Sequence, residues 1–228
     1  MGFEMEHLQS NLAQVRGRVE RACAKTGRTT DSVRLIAITK THPAETVQAL
    51  IDMGVCEIGE NRVQEIEEKA PLLKGKFSLH MVGHLQTNKA GHVLPHVAWI
   101  QSIDREKLVS RIESCPRGSA RVKSLVEVNK TGEASKSGCL PQECSALCER
   151  VAASSALEFR GLMTVGPLNG GEKTVRESFI LLRRLSETVS CLAPAIELSM
   201  GMSGDFEWAI EEGSTMIRVG TALLGKRL

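Results

Sequence analysis

The sequence predicts a (β/α)8 TIM barrel in a single α/β domain. Eight short β-rich runs recur along the 228 residues, and they carry near-continuous apolar character instead of strict alternation. Stretches with helical period lie between them. The rival is an open doubly wound sheet, which more often has about five to seven strands. The strand count favours the barrel, at the small end of its size range.

The first element is an amphipathic helix carrying Leu8, Leu12, Val15, Val19 and Ala22 on one face, which Gly27 can end. The eight strand runs follow as VRLIAIT (33–39), VCEIGE (55–60), FSLHMVG (77–83), VAWIQSI (97–103), VKSLVEV (122–128), LEFRGLMTV (157–165), AIELSM (195–200) and TMIRVG (215–220). After the first strand, Pro43 to Met53 carries Val47, Leu50 and Ile51 and stops at Gly54, with proline early and glycine last. Arg62 to Leu73 sets Val63, Ile66, Ala70 and Leu73 opposite a charged face. Pro141 to Ala153 places Cys144, Leu147, Cys148 and Val151 on one stripe, and Thr174 to Leu192 does the same with Val175, Phe179, Leu182 and Val189. No low-complexity segment or Pro/Ser-rich linker divides the chain. Residues 1–228 therefore read as one domain, with 1–30 forming a helix packed on the barrel.

Composition narrows the function. Lys+Arg is 29 against Asp+Glu 27 and the signs are interspersed, which gives no electrostatic reason for a nucleic-acid or membrane partner. There is no apolar run of transmembrane length, and MGFEMEHLQS lacks the regions of a signal peptide. Seven cysteines without a CxxC read as reduced core residues, so a cytoplasmic protein is expected. There is no tyrosine, which excludes any mechanism that needs a phenol from this chain.

In such a barrel the chemistry gathers at the carboxyl ends of the strands. Those ends carry Lys40, then GENR (59–62), GHLQTNK (83–89), Gln101, Ser102 and Asp104, VNKTGEASKSG (128–138), RGLMTVGP (160–167), LSMGMSGD (198–205) and RVGTALLG (218–225). The last two loops suit a phosphate. Their glycines let backbone N–H groups approach an anion, hydroxyls add donors, and a helix begins near Asp205. Tight turns alone would also account for the glycines. Lys40 then has two readings: a snorkelling rim lysine, or a desolvated amine able to form a Schiff base. A phosphorylated aldehyde would satisfy both the lysine and the phosphate loops.

Other signals read as structural. His80 and His84 on one strand stand roughly 13 Å apart, too far to share an ion, and Pro95 should end any helix between His92 and His96. No metal is expected. Cys144 and Cys148 share a packed face with Leu147 and Val151. The acidic run EIEEKA after GENR reads as a solvated helix face.

The pieces ITKTHP, GENRVQE, HMVGHLQTNK, VNKTGEASKSG, RGLMTV, LSMGMSGDFEWAI and IRVGTALLG resemble, in order, the pyridoxal-phosphate homeostasis protein family. That family is related to the N-terminal barrel of alanine racemase, and the resemblance runs from about Leu35 to Gly225. It implies a fold-type III barrel carrying pyridoxal 5′-phosphate as an aldimine (Schiff base) on Lys40. It implies that Asn61 approaches the ring side, that Ser203, Gly220 and Thr221 hold the phosphate, and that Arg218 faces the pyridine nitrogen. A permanent cation there keeps that nitrogen unprotonated and weakens the ring as an electron sink, which suits storage and delivery. Lys136 resembles a second lysine implicated in cofactor handling. Gly166-Pro167 and the Phe206/Trp208 pair depart from the family pattern at the pocket rim.

The resulting expectation is intracellular homeostasis of pyridoxal phosphate without catalytic turnover, by a monomer whose further partners are apo-enzymes of that cofactor. One alternative is an amino-acid racemase or decarboxylase using the same cofactor, with His84 or Lys136 as acid/base partner. The other is a Schiff-base aldolase acting on a phosphorylated sugar.

Overall fold

The structure is a computed structural model describing residues 2–116, 120–130, 137–167 and 170–225. Eight strands run in chain order around a closed barrel: β1 (Arg34–Ile38), β2 (Glu57–Glu60), β3 (Ser78–Met81), β4 (Trp99–Ile103), β5 (Val122–Glu127), β6 (Leu157–Met163), β7 (Glu197–Ser199) and β8 (Met216–Val219). All neighbours pair in parallel, and β8 closes on β1 with Ala37 opposite Val219. Each of the eight runs expected from the sequence forms its strand, trimmed at the ends.

The strands alternate between two apolar environments, as a closed sheet wrapped in helices requires. Ile36, Ile38, Trp99, Leu125, Met163 and Met216 form one cluster, with Val82 packed against it, and fill the barrel interior. Their neighbours Ala37, Val126, Ile217 and Val219 belong instead to the larger cluster between sheet and helices. This alternation matters for the site, because it fixes which residues at the strand ends point inward. Lower in the barrel Trp99 stacks on His80, with ring centroids 5.5 Å apart, and the Arg34 guanidinium covers the indole at 4.9 Å.

The helices are α1 (Gly2–Lys25), α2 (Ala44–Asp52), α3 (Val63–Lys69), α4 (Ala90–Val93), α5 (Glu106–Glu113), α6 (Cys144–Ala152), α7 (Glu172–Thr188), α8 (Phe206–Glu211) and α9 (Thr221–Leu224). In α2 the Pro43 carbonyl accepts the Thr46 and Val47 N–H groups, so the proline opens the helix while giving up only a donor the first turn does not use. The α4 helix ends before Pro95, as expected. The α5 helix is an addition: its Leu108, Val109 and Ile112 share one buried face, a periodic signal that went unread.

The amphipathic reading of α1 holds. Leu8, Leu12, Val15, Val19 and Ala22 are all buried, each large side chain worth about 1.5–3 kcal/mol relative to exposure. The helix packs against α8 and α9. Its polar edge is specific too. Asn11 Nδ2 donates to the Leu223 carbonyl at 2.9 Å, and Arg18 meets Glu207 at 2.6 and 2.7 Å while its guanidinium lies over the Phe206 ring. Phe206 is therefore core, and only Trp208 of that pair is half-exposed.

Candidate ligand site at the mouth of the barrel

Lys40 lies two residues beyond β1, and Ile36 and Ile38 point into the barrel, so the period of two carries Lys40 inward at the mouth. It is half-buried, and its Nζ takes no hydrogen bond or ion pair among the described residues. The next residue is unusual. Thr41 has φ of 68°, a left-handed conformation that a β-branched side chain adopts at a cost of order 1–3 kcal/mol.

What holds Thr41 there is a buried polar network from α3. The Thr41 N–H donates to Glu65 Oε2 at 2.7 Å. Lys69 Nζ donates to Glu65 Oε2 at 2.7 Å, to Glu60 Oε1 at 2.7 Å and to the Thr39 carbonyl at 3.0 Å. The Thr39 hydroxyl completes the set with a 2.6 Å bond to Glu60 Oε1. The backbone on both sides of Lys40 is thus tied to one ammonium group. Burial lifts the Glu60 carboxyl above its ordinary value, against the hydrogen bonds from Lys69 and Thr39. Burial acts the same way on Glu65, but there the hydrogen bonds from Lys69 and the Thr41 N–H win and hold the carboxyl low. This corrects the reading of EIEEKA as a solvated face: Lys69 is buried and Glu65 half-buried.

Arg218 is the inward residue of β8, next along from Met216. It is buried, and it donates from NH1 to Ser199 Oγ at 2.6 Å and from NH2 to the Thr164 carbonyl at 2.8 Å. Burial pulls the guanidinium down to about 10, opposed by the carboxylates of Glu127 and Asp205, so it stays a cation at neutral pH. Glu127 ends β5 on the same inward register as Leu125. Burial and the Asp104 charge push its carboxyl up to about 7 while Arg218 pulls it down, and its Oε2 has no partner among the described residues. The sequence contained the signal for Glu127: like Lys40, it is a charge at the end of an otherwise apolar strand.

The β7 and β8 loops meet at Ser203. Its Oγ accepts the N–H groups of Gly220 and Ala222, each at 3.2 Å, which brings the two loops together at the start of α9. The Thr221 N–H takes no partner among the described residues, and the residue is exposed. Gly201 makes the preceding turn with φ of 94°, where a Cβ would come within 2.5 Å of Ala209 Cβ. Asp205 accepts the Met202 N–H at 2.5 Å and tightens the same turn. Because Ala37 pairs with Val219, Gly220 lies beside Ile38, and a Cβ on it would sit 3.3 Å from the Ile38 carbonyl. The β8 loop is thereby adjacent to Lys40.

Asn61 follows β2 on the other side of Lys40 and is half-buried. Its backbone is backed by Gly83, where any Cβ would stand 2.2 Å from the Asn61 carbonyl oxygen. Further round the rim, His84 Nδ1 approaches Asp104 Oδ2 at 3.2 Å, and Ser102 Oγ donates to the Gly83 carbonyl at 2.7 Å. Lys40, Asn61, Ser203, Arg218, Gly220 and Thr221 thus occupy one arc, contributed by the successive strands β7, β8, β1 and β2. Lys136 lies outside the described residues. His92 Nδ1 meets Glu67 at 2.9 Å, and His80 meets Glu57 at 2.6 Å.

The donor set is specific in its chemistry. It comprises one amine without a partner among the described residues, one buried cation, and backbone and hydroxyl groups gathered at a helix start. It fits a ligand that carries an aldehyde, an aromatic acceptor nitrogen and a phosphate.

Comparison with known proteins agrees. Residues 5–227 match the family described as alanine racemase, N-terminal domain. The pyridoxal phosphate homeostasis protein of Vibrio cholerae is 38% identical over 233 residues, covering 98% of each chain. PipY of Synechococcus elongatus, solved with pyridoxal phosphate bound, superposes with a TM-score of 0.77 at 32% identity, covering 91% of this chain and 100% of that one. Alanine racemase from Corynebacterium glutamicum shares the barrel alone, with a TM-score of 0.75 at 12% identity over 98% of this chain and 62% of that one. The chain belongs to the alanine racemase N-terminal domain family, and within it to the pyridoxal phosphate homeostasis proteins.

Proposed function

We propose that this protein binds pyridoxal 5′-phosphate through Lys40 and serves its homeostasis, storing and delivering the cofactor without turnover of its own. The observation that carries this reading is the Lys40 amine at the end of β1, without a partner among the described residues, with the Ser203–Gly220–Thr221 donors on the adjacent strand end and Arg218 below them.

When bound, the cofactor supplies an aldehyde carbon open to attack by an amine and a ring that can withdraw electrons. Every other contribution comes from the chain. Lys40 Nζ is the attacking amine, presented by a backbone that the Lys69 network fixes on both sides. The Ser203 hydroxyl, the Gly220 and Thr221 backbone and the start of α9 receive the phosphate. Arg218 holds a charge that does not titrate away near neutral pH beside the ring nitrogen, so the nitrogen accepts a hydrogen bond and does not gain a proton. Asn61 lines the ring's edge from β2. Lys136 is a further cofactor-handling group in the same reading. In this reading it is a cytoplasmic monomer that hands the cofactor to apo-enzymes. Among the described residues no helix is long and apolar enough to cross a membrane.

The test is a visible absorption spectrum after incubation with pyridoxal phosphate and gel filtration. The wild type should retain the band of lysine-linked cofactor, and Lys40→Ala should lose it. A colourless wild type would overturn the reading. Incubating the loaded protein with a panel of amino acids in deuterated water separates storage from racemisation. Storage predicts no deuterium at the α-carbon.

A further inference from the structure

One continuous hydrogen-bond chain crosses the barrel interior below the site. Arg218 NH1 donates to Ser199 Oγ at 2.6 Å, and Ser199 Oγ donates to Gln101 Oε1 at 2.7 Å. Gln101 Nε2 meets His80 Nδ1 at 2.9 Å, and His80 Nε2 meets Glu57 Oε2 at 2.6 Å. The five residues come from β8, β7, β4, β3 and β2, and the middle three are completely buried. Glu57 is the first residue of β2, so the chain runs from the mouth to the floor of the barrel.

The ends dictate its direction. A guanidinium has only donors, and an ionised carboxylate has only acceptors. Burial works against ionisation of Glu57, but the hydrogen bond from His80 and the Arg34 cation keep its carboxyl low. Burial likewise depresses His80 and keeps the ring neutral, although Glu57 opposes it. A neutral ring that donates to Glu57 from Nε2 must accept at Nδ1. Gln101 must then present its amide N–H to His80 and its oxygen to Ser199. The Ser199 hydroxyl, already accepting from Arg218, is left to donate downward. Hydroxyl, amide and imidazole each accept on the mouth side and donate on the floor side. Such a chain is polarised along its length, from a buried cation to an anion on the opposite face.

We propose that Ser199, Gln101 and His80 are positioning residues for Arg218, anchoring its guanidinium to Glu57 and setting the hydrogen bond it offers to the ring nitrogen of the bound cofactor. Arg218 needs such an anchor. Its two hydrogen bonds within the described residues go to a hydroxyl and a carbonyl, and neither carries the charge that would fix a buried cation in place. A serine at 199 with nothing beneath it could rotate, and the guanidinium would follow.

The inference rests on the cofactor reading above, and the experiment keeps the two apart. Equilibrium binding is measured for wild type, Ser199→Ala and Gln101→Met with two ligands: pyridoxal phosphate, and its carbocyclic analogue with C–H in place of the ring nitrogen. For pyridoxal phosphate, each variant should raise the dissociation constant about three- to tenfold, the worth of one net hydrogen bond. For the carbocyclic analogue, variant and wild type should agree within about twofold, because that ring offers Arg218 nothing to hold. Equal weakening of both ligands would make the chain merely structural and overturn the proposal, as would no weakening of either. A wild type that binds neither ligand would overturn the cofactor reading and this inference with it. Should the variants misfold, nitrogen NMR of His80 in the wild type still decides the chain's direction. A neutral ring with its proton on Nε2 is required, and an imidazolium or an Nδ1–H ring would refute it.

Discussion

Replacing Lys69 with methionine would test the network that fixes Lys40. Methionine keeps most of the aliphatic volume, so the cavity contribution is small and the change reports the ammonium group. That group is buried and donates three hydrogen bonds, at 2.7, 2.7 and 3.0 Å. Removing one partner from a buried ion pair costs about 3–5 kcal/mol, because the carboxylate left behind is uncompensated. Two features reduce this. Glu65 has 14% of its side chain exposed and keeps the Thr41 N–H. Glu60, only 1% exposed, escapes its charge by taking up a proton, and its carboxyl already stands above the ordinary value. We therefore expect a loss of about 3 kcal/mol at pH 8, read from equilibrium urea unfolding at unchanged slope. The sign of the pH dependence follows. Without Lys69 the folded-state value of Glu60 rises further above its unfolded value, so the variant binds the extra proton when folded. Its deficit should shrink as pH falls below that raised value and grow as pH climbs through it. Glu65 would lose the ammonium that holds it against Thr41, so the support for the left-handed backbone weakens and the rate of covalent capture by Lys40 should fall with it. A loss below about 1 kcal/mol at pH 8, or a deficit independent of pH, would refute the argument.

Two further substitutions probe the rim. Glu127 titrates near 7 in the folded protein, well above an unfolded glutamate, so its burial destabilises the protein as pH rises through 7. Glu127→Gln should flatten that dependence, stabilising the protein at pH 8 by up to ~3 kcal/mol relative to wild type and by little at pH 5, as urea midpoints will show. Gly83→Ala would drive a methyl to 2.2 Å from the Asn61 carbonyl and must displace that strand end. It should cost about 2–4 kcal/mol of stability and lower pyridoxal phosphate affinity, whereas an unchanged spectrum and affinity would remove Asn61 from the site.

The fold was legible because its signals are local. Each strand is a continuous apolar run and each major helix a periodic one, including α5, whose Leu108, Val109 and Ile112 stripe went unread. Lys40 was legible as a charge at the end of a dry strand, a signal that Glu127 carries equally and that went unread there, whereas Arg218 was named only through the family resemblance. The Lys69 network could not be read along the chain. Glu65 and Lys69 look like any solvated helix face until β1 and β2 bring Thr39, Thr41 and Glu60 against them, from 9 to 30 residues away in sequence. The same holds for Gln101 and His80, which meet only when the barrel closes.

The distribution of held and free groups bears on storage against catalysis. The backbone at Lys40 is restrained by Glu65 on one side and Lys69 on the other, and Arg218 is anchored to the barrel floor. Yet Lys40 Nζ itself takes no hydrogen-bond or ionic partner among the described residues. A racemase would require the opposite arrangement, with an acid or base poised against the amine to move a proton at the α-carbon. Glu127 has a suitable affinity for protons, but β5 faces β1 from across the barrel, and the charge it answers is that of Arg218. In the proposed reading, a half-buried amine on a restrained strand end and the Arg218 cation set against the ring favour capture and release over proton transfer. Release needs only that a competing amine reach the same carbon, and Lys40 is half-buried, not sealed in the core.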